Sequence, residues 1–211
     1  MTYVTDLIDG YHRFRHKDWA RERERWSDMA EGQSPKVMIL SCADSRVDPA
    51  QIFDAKPGEM FVVRNIAALA PPYETTRGYH GVSAALEFAV TQLGVEEILV
   101  MGHGLCGGCA AGLTGEFQDV EQGEGHFIGD WVRMLDKARD DVRARHTTLD
   151  REAFRDMEWE AVKVSLANLR TFPWIAERED AGQLTLHGAH FSIAEGRLYM
   201  LDEAEGKFRP V

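Results

Sequence analysis

Three short apolar runs, each followed at once by Gly or polar residues, constrain the fold of this 211-residue chain more than any other feature. The runs span residues 37–40, 60–63 and 98–101. Compact apolar runs of this length, bounded by Pro, Gly or polar residues, are typical of buried strands in a parallel sheet. Helical patterns lie at residues 82–93, 127–145 and 151–169. This alternation predicts an α/β fold with a central, mostly parallel β-sheet flanked by helices.

An N-terminal arm and a C-terminal strand pair complete the predicted organisation. Residues 1–32 are rich in charge, and apolar side chains recur there at roughly helical intervals: Leu7, Tyr11, Phe14, Trp19 and Trp26. This pattern predicts an N-terminal helical arm with a narrow apolar face. Residues 33–211 are then a single α/β domain, which ends in a predicted strand pair that turns at Glu195 and Gly196.

The charge balance argues against two classes of partner. Lys and Arg number 24 against 35 Asp and Glu, a formal net charge of −11, so neither nucleic acid nor an anionic membrane surface is an expected partner. No apolar run approaches the roughly 20 residues of a membrane-spanning helix, and no secretory signal is recognisable, so the cytoplasm is predicted. Three cysteines do not make a disulfide framework, so they are candidates for metal binding or nucleophilic chemistry.

Cys42, His103 and Cys106 are the candidate metal ligands. Cys42 follows the first apolar run, and the other two follow the third run in a Gly-rich segment. Parallel strands deliver residues to the carboxyl edge of their sheet, where these three side chains are expected to meet. Zinc prefers tetrahedral Cys and His coordination, and three protein ligands with an open fourth position are typical of catalytic sites. Taken alone, an isolated Cys is more often a small buried apolar residue.

Asp44 and Arg46 supply a context for the metal assignment. They lie two and four residues after Cys42, so they can pair beside a metal ion bound there. A carboxylate held by a forked guanidinium would accept a hydrogen bond from a metal-bound hydroxide and orient it. Other interpretations stay open, namely a solvated Asp-Ser-Arg loop, a thiol-redox pair of Cys106 and Cys109, or a structural site of three cysteines and a histidine.

Several motifs together resemble the β-class carbonic anhydrases of bacterial type. They are residues 42–46 (CADSR), 64–67 (RNIA), 81–90 (GVSAALEFAV), 102–108 (GHGLCGG), 165–169 (SLANL) and 186–188 (LHG). The resemblance covers nearly the whole chain from about Gln33 onward. The segment before Gln33 matches only in its helical character.

The resemblance implies a zinc enzyme that reversibly hydrates CO2 to bicarbonate and a proton. It implies one Zn²⁺ per chain, bound by Cys42, His103 and Cys106. It also implies that Asp44 orients a zinc-bound hydroxide and that Arg46 orients Asp44. The implied substrate-binding positions are Gln33, Phe61, Ile66, Phe88 and Gly107. Family members build this pocket at a dimer interface with the N-terminal helices over the partner, which implies a homodimer or a tetramer of two dimers.

Some family members bind a regulatory bicarbonate through a Trp, an Arg and a Tyr, and move the motif aspartate onto zinc. The matching positions here are Ile39, Arg64 and Phe191, so only the arginine is kept. The sequence therefore predicts an open site in which Asp44 stays paired with Arg46.

Two alternative functions stay open at this point. Enzymes of this fold that hydrolyse carbonyl sulfide or carbon disulfide use the same zinc chemistry on linear electrophiles of the same shape. A non-catalytic zinc or thiol-redox protein would instead depend on His103, Cys106 and Cys109. In that case Cys109→Ala would abolish metal binding and Asp44→Asn would have no effect.

Overall fold

The computed structural model describes residues 2–118, 120 and 123–211. Outside the described residues lie Met1 of the predicted arm and, in the predicted domain, Asp119, Glu121 and Gln122. The chain divides into two compact units, Met1–Ser34 and Pro35–Val211. Within the described residues, no helix combines the length and the apolar character that crossing a bilayer requires.

The N-terminal unit consists of short helices. They are α1 (Tyr3–His16), α2 (Asp18–Arg21) and α3 (Arg23–Ala30). Helix α1 begins at its N-cap residue Thr2, whose side-chain and carbonyl oxygens both accept a hydrogen bond from the Thr5 N–H. Phe14 and Trp26 pack edge to face, with ring centroids 5.5 Å apart. Large apolar side chains of α1 are exposed: Tyr3, Val4, Leu7, Ile8 and Tyr11.

The second unit is built on a six-stranded sheet. Its strands are β1 (Val37–Cys42), β2 (Met60–Asn65), β3 (Glu97–His103), β4 (Thr185–Ser192), β5 (Arg197–Asp202) and β6 (Lys207–Pro210). Its α-helices are α4 (Pro49–Ile52), α5 (Gly81–Glu87), α6 (Gly107–Thr114), α7 (His126–Val132), α8 (Asp136–Arg145), α9 (Arg151–Leu169) and α10 (Pro173–Asp180).

The strands follow the order β2-β1-β3-β4-β5-β6. The pairs β1 with β2, β1 with β3 and β3 with β4 are parallel, and β5 and β6 are added antiparallel. The predicted α/β fold with a mostly parallel sheet is therefore confirmed. Strand β6 was not predicted, because the sequence Lys-Phe-Arg-Pro alternates charge with single apolar residues and lacks an apolar run.

Two predicted helices differ from the structure in their continuity. The predicted helix at 127–145 is divided into α7, a 3₁₀ turn at Arg133–Leu135 and α8. The predicted helix at 82–93 is α5 followed directly by the π-helical turn Phe88–Leu93. Hydrophobic periodicity reports which face is buried, and it is insensitive to a local change from 3.6 residues per turn.

Glycines in β3 and β4 let α9 approach the sheet closely. A Cβ at Gly102 would lie 2.8 Å from Cγ2 of Val162, and a Cβ at Gly188 would lie 2.9 Å from Cγ1 of the same residue. Real Cβ atoms do not approach other atoms this closely, so α9 would have to move away. The close approach also sets Glu158 of α9 beside the end of β3, with its carbonyl oxygen 3.6 Å from the Gly102 Cβ position.

We expect Gly188→Ala to destabilise the protein by about 1–3 kcal/mol through overpacking against α9. The added Cβ would also lie 3.1 Å from Cβ of Leu201. A change of side-chain rotamer does not move a Cβ atom, so it cannot relieve this contact. Urea unfolding at fixed zinc concentration measures the change. Gly81→Ala is the control, because nothing lies within 4 Å of its added Cβ, and its stability should be equal or higher. Equal stability of the two variants would contradict this account of α9 packing.

The first three strands end at the same edge of the sheet. Strand β1 ends at Cys42, which lies opposite Asn65, the last residue of β2. Strand β3 runs parallel to β1 and ends at His103. The parallel register thus carries a cysteine and a histidine, 61 residues apart in the chain, to one edge.

Candidate metal centre

Cys42, His103 and Cys106 converge at this edge. One donor atom from each residue, two Sγ and one imidazole nitrogen, all lie within 4.8 Å of one another. The two Sγ atoms are 3.9 Å apart, and all three residues are buried. Cys42 and His103 are the last residues of their strands, whereas Cys106 is the N-cap residue of α6.

The donor geometry fits zinc. Tetrahedral Zn²⁺ with Zn–S bonds of about 2.3 Å separates two sulfurs by about 3.8 Å, close to the separation found. His103 Nδ1 lies 2.9 Å from the Gly104 carbonyl oxygen, so Nδ1 carries the proton and donates a hydrogen bond to that oxygen. Nε2 is left with a free lone pair, and it is buried without a hydrogen-bond partner among the described residues. A cation bound between this nitrogen and the two sulfurs would satisfy it.

The two thiols need a cation in order to ionise. The hydrogen bond with Cys106, together with burial, raises the pKa of Cys42 to about 12. The neighbouring Cys109 thiol raises the pKa of Cys106 to about 12. Both groups are therefore protonated near neutral pH, and a metal ion that binds them as thiolates must displace two protons.

Asp44 and Arg46 form the predicted pair beside these donors. Arg46 Nε donates to Asp44 Oδ1 at 2.9 Å, and Nη2 donates to Oδ2 at 2.6 Å. The hydrogen bonds from Arg46 hold the pKa of the Asp44 carboxyl well below its usual range, so Asp44 is a carboxylate. Its Oδ2 lies 3.9 Å from His103 Nε2. A hydrogen-bond acceptor is thus fixed at the edge of the metal-binding group.

Arg64 holds the loop that carries Cys42 and Asp44, a role that sequence reasoning missed. Its Nε donates to the Cys42 carbonyl oxygen at 2.9 Å, and its Nη2 donates to the Asp44 carbonyl oxygen at 2.6 Å. Its Nη1 donates to the Asp48 carboxylate at 3.1 Å. The sequence placed Arg64 directly after a predicted strand and within residues 64–67 (RNIA), and neither position shows which groups the side chain contacts.

We expect Arg64→Lys to release zinc about tenfold faster, within the range found when groups that orient metal ligands are lost. A lysine offers a single ammonium group, which cannot reproduce the forked contacts with both carbonyls and the carboxylate. Transfer of zinc to a chromophoric chelator gives the rate. Arg209→Lys is the control, since Arg209 pairs with Asp202 on β5. Indistinguishable release rates for the two variants would show that Arg64 does not hold this loop.

The predicted substrate-binding residues fall in separate places. Phe61 and Phe88 pack against each other, with ring centroids 6.0 Å apart. Ile66 lies against the first turn of α6, which begins at Gly107. Gln33 belongs to the N-terminal unit and is exposed. Substrate binding by these residues stays a prediction.

A largely apolar cavity begins one residue from Cys42. Its volume is about 460 Å³, and its lining residues are Ala43, Asn65, Ile66, Phe127, Ile128 and Trp131. Trp131 Nε1 donates to the Ile66 carbonyl oxygen at 2.8 Å, which fixes the indole in the wall. Sequence reasoning named Ile66 and missed the three residues of α7, because a helical pattern does not show which cavity a helix faces.

Cys109 does not belong to the metal-binding group of the described residues. It is buried and lies against Cys106, and all three cysteines are free. The donor set found is therefore two sulfurs and one imidazole nitrogen.

The chain is similar to known carbonic anhydrases in sequence. A protein-family model described as carbonic anhydrase matches residues 37–198. Beta carbonic anhydrase 3 of Arabidopsis thaliana is 36% identical over 194 residues, which are 92% of this chain and 74% of that protein. The mitochondrial beta carbonic anhydrase 6 of the same plant is 35% identical over 195 residues, 92% of this chain and 66% of that protein.

Solved structures show the same similarity. The β-carbonic anhydrase CcaA superposes with a TM-score of 0.91 at 29% identity, covering 100% of both chains. A structure from a study of two tetrameric β-carbonic anhydrases of Sordaria macrospora superposes with a TM-score of 0.79 at 25% identity, covering 94% of this chain and 96% of that chain. Since the family match spans most of the chain and includes the converging Cys, His and Cys donors, this chain belongs to the β-carbonic anhydrase family.

Proposed function

We propose that this protein is a zinc-dependent carbonic anhydrase that catalyses the reversible hydration of CO2 to bicarbonate and a proton. The observation that carries the proposal is the convergence of Cys42, His103 and Cys106 beside the Asp44 and Arg46 pair. Three nitrogen and sulfur donors suit zinc and leave one coordination position for chemistry. Family membership supports this reaction and favours neither hydrolysis of carbonyl sulfide or carbon disulfide nor a redox role.

In this reaction Cys42, His103 and Cys106 would hold the zinc ion. When bound, zinc supplies Lewis acidity, which lowers the pKa of water so that a nucleophile is available near neutral pH. Ionised Asp44 can only accept hydrogen bonds. It would accept one from the attacking water, which leaves a lone pair of the water oxygen directed at CO2. Arg46 holds both carboxylate oxygens, which keeps Asp44 in this accepting position.

The apolar cavity beside Cys42 is the proposed approach for CO2. CO2 is apolar and linear, and the walls formed by Ile66 and Trp131 offer it an apolar surface next to Ala43. The remaining proposed substrate-binding residues are Gln33, Phe61, Phe88 and Gly107.

Stopped-flow CO2 hydration with a pH indicator, alongside zinc analysis, tests the proposal. We expect about one zinc per chain, loss of nearly all activity after dipicolinate removes it, and recovery with Zn²⁺ but not with Mg²⁺. If the protein binds zinc fully and hydrolyses carbonyl sulfide but does not hydrate CO2, it is a carbonyl sulfide hydrolase and the proposal is wrong. Full activity without bound metal would exclude both.

The proposed assembly is a homodimer or a tetramer of two dimers, with the N-terminal helices as a dimerisation arm. The exposed apolar side chains of α1 support such a role, and the Sordaria macrospora relatives are described as tetrameric. Light scattering on the full chain and on a chain that begins at Pro35 measures the contribution of the arm. The cytoplasm is the proposed compartment, in keeping with three free cysteines.

A further inference from the structure

The peptide unit between Leu105 and Cys106 is held at both ends. Arg46 Nη2 donates to the Leu105 carbonyl oxygen at 3.0 Å, and the Cys106 N–H donates to Glu158 Oε1 at 3.2 Å. The C=O and N–H of a trans peptide point in opposite directions, so these two contacts together fix the rotation of the peptide plane. One contact comes from the arginine that pairs with Asp44, and the other orients the backbone of a metal-binding residue.

Glu158 is itself held by the packing of α9 and by His190. Its Oε2 lies 2.9 Å from His190 Nε2, and the two side chains are 6% and 4% exposed. His190 lies on β4 opposite Gly102 of β3, the glycine that admits α9 to the sheet. A buried carboxylate is costly unless its oxygens are hydrogen-bonded. Here one oxygen accepts from His190 and the other accepts from Cys106, so the carboxylate has a defined position.

Leu105 explains why the peptide has to be held. Its φ is +59°, in the left-handed region that residues with a Cβ rarely adopt. The residue is 65% exposed, so packing of its side chain does not enforce the conformation. Rotation of this peptide plane would change ψ of Leu105 and φ of Cys106, and it would therefore move the Cys106 Sγ relative to Cys42 and His103. The hydrogen bonds at the two ends of the peptide oppose this rotation.

We infer that Glu158 is a positioning residue of the metal centre, which fixes the Leu105 to Cys106 peptide and through it both the Cys106 donor and the Arg46 side chain. His190 anchors Glu158. The side chain acts through its length and its hydrogen-bond acceptors, not through its charge. The catalytic consequence rests on the proposed function, whereas the consequence for the metal ion does not.

Two substitutions separate length from charge. Glu158→Asp keeps the charge, but it shortens the side chain by one methylene, so it cannot reach Cys106 and His190 together. Glu158→Gln keeps the length and an acceptor oxygen for the Cys106 N–H, and its amide can donate to His190 in the other imidazole tautomer. Glu160→Asp is the matched control on the same helix, because Glu160 contacts Lys163 and Arg145 instead.

The variants are compared by the rate of zinc release to a chelator, by the thiolate-to-metal charge-transfer bands of the Co²⁺-substituted proteins, and by kcat and KM. For Glu158→Asp we expect 10- to 100-fold faster zinc release, shifted charge-transfer bands, and kcat lowered about tenfold with KM within about twofold. Glu158→Gln should release zinc within about threefold of the wild-type rate and keep the wild-type spectrum, and the control should match the wild type.

Wild-type zinc release and spectrum in Glu158→Asp would overturn the inference, even if its Tm falls, since a purely structural role predicts that result. Equal impairment of Glu158→Gln and Glu158→Asp would also overturn it, because the charge of the side chain would then matter as much as its length. If the wild-type protein does not hydrate CO2, the proposed function fails, and the metal-release and Co²⁺ measurements still decide the role of Glu158.

Discussion

Replacing Cys42 by Ala is expected to reduce bound zinc from one ion per chain to less than about a tenth, and to lower CO2 hydration by at least about 10³-fold. The substitution leaves one sulfur and one imidazole nitrogen, and two donors hold zinc far less tightly than three. Cys42 is the last residue of β1 and is buried, and the alanine methyl group that replaces its thiol offers the metal ion no donor atom. Zinc analysis after exhaustive dialysis and stopped-flow CO2 hydration measure the two effects.

Cys109→Ala is the matched control for this experiment. Cys109 is also buried, and it lies against Cys106, but it is outside the group of donor atoms in the described part of the chain. We expect it to keep its zinc and to lose at most modest stability from a small cavity. The opposite pattern, with zinc lost in Cys109→Ala and kept in Cys42→Ala, would favour the non-catalytic zinc or redox protein.

Asp44→Asn is expected to keep about one zinc per chain and to lose about 10²- to 10³-fold in kcat. An amide at this position presents an N–H where the carboxylate presented an acceptor, so it no longer orients the attacking water, and Arg46 loses its ionic partner. Because hydrogen bonds from Arg46 hold the pKa of Asp44 well below its usual range, the wild-type carboxylate stays ionised at every pH at which activity is measured. The loss should therefore persist across the whole pH profile.

Asp202→Asn provides the comparison for a carboxylate paired with arginine away from the metal centre. Oδ2 of Asp202 lies 3.4 Å from Arg209 Nε at the end of β5. Loss of the Asp202 charge should leave zinc content and kcat unchanged. Wild-type kcat in Asp44→Asn would mean that the pair with Arg46 is structural. Loss of zinc from Asp44→Asn would instead place the carboxylate among the groups that retain the metal ion.

The metal-binding residues could be predicted because they occupy positions that a sequence defines. Cys42 and His103 each follow an apolar run closely and are the last residues of β1 and β3, and parallel strands bring such positions to one edge of the sheet. Asp44 and Arg46 could be paired from the sequence because they are only two residues apart and their contacts are local. Strand β6 was not predicted, because it has no apolar run. It is a strand because it pairs with the free edge of β5.

Positions that depend on distant contacts were not predictable in the same way. Arg64 was visible at a strand end, but its donation to the Cys42 and Asp44 carbonyls depends on how that loop folds back over β2. Glu158 was visible only as an acid within a helical pattern. Its contact with the Cys106 N–H joins residues 52 apart in the chain.

By itself the sequence determined the local features of the fold. These are the helical periodicity, the apolar runs that become parallel strands, and the Cys, His and Asp side chains at or just after strand ends. The tertiary structure alone decided which buried polar group meets which backbone amide or carbonyl, because a period places a residue on a face without specifying its partner. Glu158 reaches Cys106 because glycines at 102 and 188 let α9 approach the sheet. That close packing is a property of three elements together, and no single segment contains it.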